Sequence, residues 1–121
     1  MNEKEIYNNI ELTLRRKKEL AVISVIETWG SSPRPVGSTM VVSEDHKVFG
    51  SVSGGCIESF VYSKALEVIK NNNVITLEFG VTNKQAWEVG LTCGGKIKVF
   101  IEKLSQKSLN YVTRINESFA A

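Results

Sequence analysis

Leu20-Ala21-Val22-Ile23-Ser24-Val25-Ile26 is apolar almost without interruption and rich in β-branched residues. Such side chains suit a pleated surface, and a run without polar alternation has no face to turn to water. The stretch predicts a central strand covered on both faces. Upstream, Ile6, Ile10 and Leu14 recur at every fourth position of a charged segment. That spacing predicts an amphipathic opening helix with one buried stripe, ending near Lys18. Downstream, Thr39 to Ser43 and Lys47 to Val52 are short, β-rich and separated by a polar turn, the pattern of a hairpin.

From Ile57 the period changes. Ile57, Phe60, Val61, Ala65, Leu66, Val68 and Ile69 share one wide helical face that should run to about Lys70, where Asn71-Asn72-Asn73 ends it. Val74 to Phe79 reads as a further strand. Lys96 to Ile101 alternates charged and apolar residues, as a half-exposed strand does, and leaves the sheet at Glu102. Ser105 to Ala121 is a weakly helical tail. The expected fold is α/β: a single domain over residues 1–121 with its core at about 20–104, holding a mixed sheet of about five strands with flanking helices.

At 121 residues the chain is long enough for one hydrophobic core, and 42% apolar with 23% charged residues is ordinary for a soluble globular protein. Fifteen basic against 13 acidic side chains give a net charge of +2, too small to imply nucleic acid or an anionic membrane as a partner. The one basic run, Arg15-Arg16-Lys17-Lys18, reads as a solvated helix C-terminus complementing the macrodipole. Met1 to Arg15 has no continuous apolar stretch, so neither a signal peptide nor a membrane span is expected, and a cytoplasmic location is.

Two cysteines in a reducing compartment point to reactive or ligand-binding thiols rather than a structural disulfide. Two thiols alone cannot complete a four-ligand zinc site, and the single histidine, His46, falls in a turn that should face solvent, so no metal site is expected.

Three segments carry chemistry. Gly30-Ser31-Ser32-Pro33-Arg34-Pro35-Val36-Gly37-Ser38 follows the buried strand. Its prolines fix φ on either side of Arg34, and the guanidinium with Ser31 and Ser32 suits a phosphate or carboxylate. A rigid connection with a surface arginine is the other reading. The segment is not a Walker A loop: six residues rather than four separate Gly30 from Gly37, and Ser38 stands where lysine is required. Ser53-Gly54-Gly55-Cys56 joins a strand end to a helix start, where unpaired amides favour an anion and a thiolate. Cys93-Gly94-Gly95 again sets a thiol against paired glycines, which allow close approach of the backbone to a ligand. Each cysteine taken alone is also compatible with simple packing. Both lie at ends of predicted strands, where open α/β sheets place ligands.

Taken together and in this order, Gly-Ser-Ser-Pro-Arg-Pro, Ser-Gly-Gly-Cys-Ile-Glu and Cys-Gly-Gly before a strand resemble the N-terminal domain of the XdhC/CoxI family, over roughly Ala21 to Lys103. Members are accessory factors for molybdenum hydroxylases such as xanthine dehydrogenase. The resemblance implies transient binding of the molybdenum cofactor (molybdopterin), help with acquiring or protecting its sulfido ligand, and delivery to the hydroxylase apoenzyme. Ser31, Ser32, Arg34, Ser53, Gly54, Gly55, Cys56, Cys93, Gly94 and Gly95 are the implied cofactor-binding residues.

The chain departs from the family pattern in two ways. Thr39 stands where many relatives carry a basic residue, and the chain ends before the second, dinucleotide-binding-like domain that many have. A stand-alone module, one half of a split pair and a fragment all remain open. A cofactor-binding chaperone is the leading functional reading. The alternatives are a sulfurtransferase with persulfide on Cys56 or Cys93, supplied by a cysteine desulfurase, and an interaction module that binds nothing small. A homodimer is compatible with the first two.

Overall fold

The computed structural model describes residues 2–29, 37–52, 58–79 and 96–120. Helix α1 (Glu3–Arg15) leads into strands β1 (Leu20–Trp29), β2 (Thr39–Ser43) and β3 (Val48–Gly50). Helix α2 (Glu58–Asn71) precedes β4 (Ile75–Phe79) and β5 (Lys96–Leu104), and a 3-10 turn (Gln106–Ser108) enters helix α3 (Leu109–Ala120). The strands form one five-stranded sheet in the order β3-β2-β1-β5-β4.

The apolar run at residues 20–26 is the central strand, as expected. It pairs with β2 from Leu20↔Ser43 to Ser24↔Thr39, and with β5 from Leu20↔Leu104 to Trp29↔Lys96. On one face Ala21, Ile23 and Val25 pack with Val61, Ala65 and Val68 of α2. On the other, Leu20 and Val22 pack with Ile6, Ile10 and Leu14 of α1 and Val112 of α3. Burying each of the larger side chains contributes about 1.5–3 kcal/mol, which explains why no polar alternation survives in this strand.

The α/β class and the five strands hold, but the mixed sheet does not. Among the described residues all four strand pairings are antiparallel. The helical crossover through α2 joins β3 to β4, which run the same way yet sit at opposite edges of the sheet and never pair.

Several element ends also differ from expectation. β1 continues to Trp29 because a bulge at Ile26 absorbs one residue, after which Glu27, Thr28 and Trp29 resume pairing with Lys98, Ile97 and Lys96. β5 continues to Leu104 because its partner continues, with Glu102, Lys103 and Leu104 opposite Val22, Ala21 and Leu20. Helix α1 starts at a capping box, in which the Glu5 amide donates to Asn2 Oδ1 at 2.8 Å and the Asn2 amide to Glu5 Oε1 at 3.4 Å. It stops at Arg15, short of Lys18, because Lys17 turns left-handed at φ 64. Arg15 closes the last turn, its Nε 2.8 Å from Glu11 Oε2.

The tail is a full helix. Asn116 Nδ2 donates to the Tyr7 carbonyl at 3.0 Å and to Glu11 Oε1 at 2.8 Å, and the Tyr7 and Phe119 rings lie 6.3 Å apart. Hydrogen bonds from Arg15 and then Asn116 hold the Glu11 carboxyl below the usual carboxylate range. No helix among the described residues is long and apolar enough to cross a membrane.

Replacing Ile23, fully buried, with alanine should cost about 2–5 kcal/mol in urea unfolding. Leu12, 52% exposed on α1, should lose at most about 0.5 kcal/mol on the same change. Because the folded Glu11 value is depressed, its stabilising share is present above the ordinary value of 4.5 and is lost as pH falls through the lower folded one. Glu11→Gln should flatten the stability curve in that acidic window, as read by thermal unfolding from pH 6 to pH 2.

Candidate functional site

The strand registers give the sheet two unlike ends. At one, β1 begins at Leu20 opposite Ser43 and Leu104, and the connections are tight. Three non-glycine residues of positive φ turn the chain there: Lys17 after α1, His46 in the β2–β3 hairpin and Asn72 after α2. His46 faces solvent, as expected, with Nδ1 2.8 Å from the Tyr62 hydroxyl. Asp45, in the same hairpin, accepts a hydrogen bond from Ser43 that holds its carboxyl below the usual range.

At the other end β1 reaches Trp29 opposite Lys96, the first residue of β5. Phe79, the last residue of β4, lies opposite Ile97. Gly50, the last of β3, pairs with Met40 near the start of β2, and the Gly37 amide donates to the Val25 carbonyl at 2.9 Å. The segments 30–36, 53–57 and 80–95 are therefore all bounded by residues at this one end. Ser31, Ser32, Arg34, Ser53, Gly54, Gly55, Cys56, Cys93, Gly94 and Gly95 lie outside the described residues. What the fold brings together is the set of strand and helix ends from which their segments leave.

Those ends are firmly held. Val52 is fully buried in the core beneath α2, immediately before residue 53. After residue 57, the first turn of α2 is tied twice. The Ser51 hydroxyl donates to Glu58 Oε1, and the Phe60 ring meets Phe79 edge-on at 5.5 Å and 84°. Such an aromatic pair is worth about 0.5–1.5 kcal/mol beyond its burial. The Ser51 amide donates to the Thr39 carbonyl at 3.1 Å, and Thr39 Oγ1 donates to the Gly37 carbonyl at 3.2 Å. Past the bulge, Glu27 Oε1 and Lys98 Nζ lie 3.9 Å apart.

Glu58 entered the sequence reading only as the last residue of Ser-Gly-Gly-Cys-Ile-Glu, and Ser51 and Gly50 were not singled out. No spacing rule joins Ser51 to Glu58, because the contact depends on where the intervening segment returns. Gly50 did carry a signal, as a glycine closing a strand. Its φ is +79, and a Cβ there would run into the Thr39 carbonyl oxygen.

Residues 13–80 match the model of the XdhC and CoxI family. The chain belongs to the XdhC and CoxI family. Among similar proteins, the molybdenum cofactor insertion chaperone PaoD of Escherichia coli strain K12 is 31% identical over 102 residues, covering 83% of this chain and 32% of the relative. A Bacillus subtilis strain 168 protein named as a probable xanthine dehydrogenase component is 23% identical over 110 residues, 89% of this chain and 33% of the relative. A crystal structure of a xanthine dehydrogenase from Bacillus halodurans superposes with a TM-score of 0.83 at 26% identity, over 98% of this chain and 35% of that one. The chain thus spans about a third of the length of these relatives.

Gly37 has φ +95 with open space where a methyl group would stand, so Gly37→Ala should cost only the left-handed penalty of about 1–2 kcal/mol. Gly50→Ala adds a clash with backbone and should cost distinctly more. Equal losses in urea unfolding would reject the clash.

Proposed function

We propose that this chain acts as an accessory factor for a molybdenum hydroxylase of the xanthine dehydrogenase type, taking the molybdenum cofactor as cargo and passing it to the apoenzyme. One observation carries the reading. The three segments bearing the arginine-serine and cysteine-glycine motifs are all bounded by residues at a single end of the sheet, in a chain of the XdhC and CoxI family that is 31% identical to a molybdenum cofactor insertion chaperone.

The donor set fits the cargo, which has a phosphate, a polar pterin and a soft dithiolene-bound metal. Arg34 with Ser31, Ser32 and Ser53 suits the phosphate or pterin, and backbone amides at Gly54, Gly55, Gly94 and Gly95 add donors. Thiolates of Cys56 and Cys93 suit the soft metal centre or its sulfido group. Binding is transient, because a carrier must release what it delivers.

Assistance with sulfuration or its protection belongs to the same reading, with a cysteine desulfurase as sulfur source. So do residues 1–121 acting as one unit in the cytoplasm, and a second copy shielding the cargo at an interface between protomers.

The test is retention of cofactor released from a denatured hydroxylase, measured as molybdenum and oxidised pterin per chain after desalting. Arg34→Ala should weaken retention roughly tenfold, the usual worth of a charge-assisted contact, with Cys56→Ala and Cys93→Ala also impaired. Normal retention by all three folded variants would sink the proposal. Mass spectrometry after incubation with a sulfur donor separates the roles: a persulfide on Cys56 or Cys93 marks a sulfur carrier, whereas intact binding without an adduct marks a chaperone.

A further inference from the structure

Helix α1 ends in a hydrogen-bonded turn, in which the Lys17 amide donates to the Leu14 carbonyl at 3.0 Å and the Lys18 amide to the Thr13 carbonyl at 3.2 Å. The left-handed position of such a turn is usually glycine and sometimes asparagine, because a Cβ is strained there. The chain leaves α2 in that way, through Asn72 at φ 58, whereas it leaves α1 through Lys17 at φ 64. Complementing the helix dipole accounts for Arg15 in the last turn, but Lys17 and Lys18 stand beyond the helix end. A cation kept where glycine is easier points to a use outside folding.

The surroundings are basic. Arg16, Lys17 and Lys18 are exposed, and Gln106 Nε2 donates to the Leu14 carbonyl, which sets the exposed Lys107 beside the same turn. None of these four side chains forms an ion pair among the described residues. Three acids are set into the same end of the sheet. Glu19 pairs with Lys103 at 3.3 Å, Glu44 accepts from the Glu19 amide at 2.9 Å, and the Asp45 carboxyl, lowered first by Ser43, also feels Lys47 and then Lys18.

We propose that Arg16, Lys17, Lys18 and Lys107 form a docking surface for an acidic face of a partner protein, at the end of the sheet opposite the one from which the motif segments leave. Glu19, Glu44 and Asp45 repel a uniformly anionic polymer or bilayer, whereas a protein face of mixed charge can set its own basic groups against them. Neither residues 16–19 nor residues 105–108 carry an exposed large apolar side chain for a bilayer to bury. The inference does not depend on the cargo proposed above.

The experiment measures binding of a short fluorescein-labelled peptide of glutamate, aspartate and occasional lysine to the full chain by anisotropy. Single-stranded DNA of the same net charge and phosphatidylserine vesicles serve as competitors. The peptide should bind, and its affinity should fall between about 20 mM and about 200 mM salt. Lys17→Glu should weaken binding roughly tenfold, and Lys4→Glu, the same change of charge at the exposed start of α1, should leave it unaltered. Lys17→Gly relieves the left-handed strain, so it should raise the urea midpoint while weakening the peptide roughly threefold, the worth of one exposed charge pair. A variant that folds better and binds worse separates docking from stability.

The proposal is overturned if the parent chain fails to bind the peptide at low salt, or if DNA or vesicles bind more tightly than the peptide, which assigns the surface to another class of partner. It is also overturned if Lys4→Glu weakens binding as much as Lys17→Glu, which leaves only net charge. Parental binding by Lys17→Gly, or a lowered urea midpoint, likewise removes the case for Lys17.

Discussion

β1 is hydrogen-bonded along both edges and covered on both faces, by α2 on one side and by α1 and α3 on the other. Every other element takes its place from it. A slip of one residue would turn Ala21, Ile23 and Val25 toward α1 and α3, and Leu20 and Val22 toward α2, exchanging two cores of different shape. The register is therefore specified twice over, and the strands beside β1 inherit that definition. The bulge at Ile26 departs from that register, and it falls where β1 runs past the paired length of β2 toward the motif-bearing end.

The same constraint separates support from chemistry. At the end where β1 begins, left-handed Lys17, His46 and Asn72 close short connections, and ion pairs such as Lys103–Glu19 at 3.3 Å decorate them. At the opposite end the three segments with arginine, serine and cysteine motifs depart from anchored residues. The described residues at that end are held by Val52 in the core, by the hydrogen bond of Ser51 to Glu58, and by Phe60 edge-on against Phe79.

The legibility of the chain followed the range of the forces involved. Ile6, Ile10 and Leu14 declare α1 through local periodicity, and Val61, Ala65, Val68 and Ile69 declare α2 in the same way. α3 was only half legible: Val112 is its single buried residue, and its stability comes from α1 through Asn116 and Phe119, contacts more than a hundred positions away in sequence for Asn116 and Tyr7. The expected mixed sheet failed for a related reason. Alternating strand and helix patterns suggest parallel pairing, yet whether a crossover ends beside its starting strand or across the sheet is a matter of strand order.

The amino-acid sequence by itself determined the central strand, the two principal helices, the hairpin and the family, because periodicity, β-branching and short motifs are properties of neighbouring residues. Only the tertiary structure decided that all pairings are antiparallel, that the tail folds as α3, and that the three motif segments leave from one end of the sheet. Those outcomes depend on which distant residues meet, as Gly50 meets Thr39 and Ser51 meets Glu58, and such meetings are settled by packing around β1 rather than by local preference.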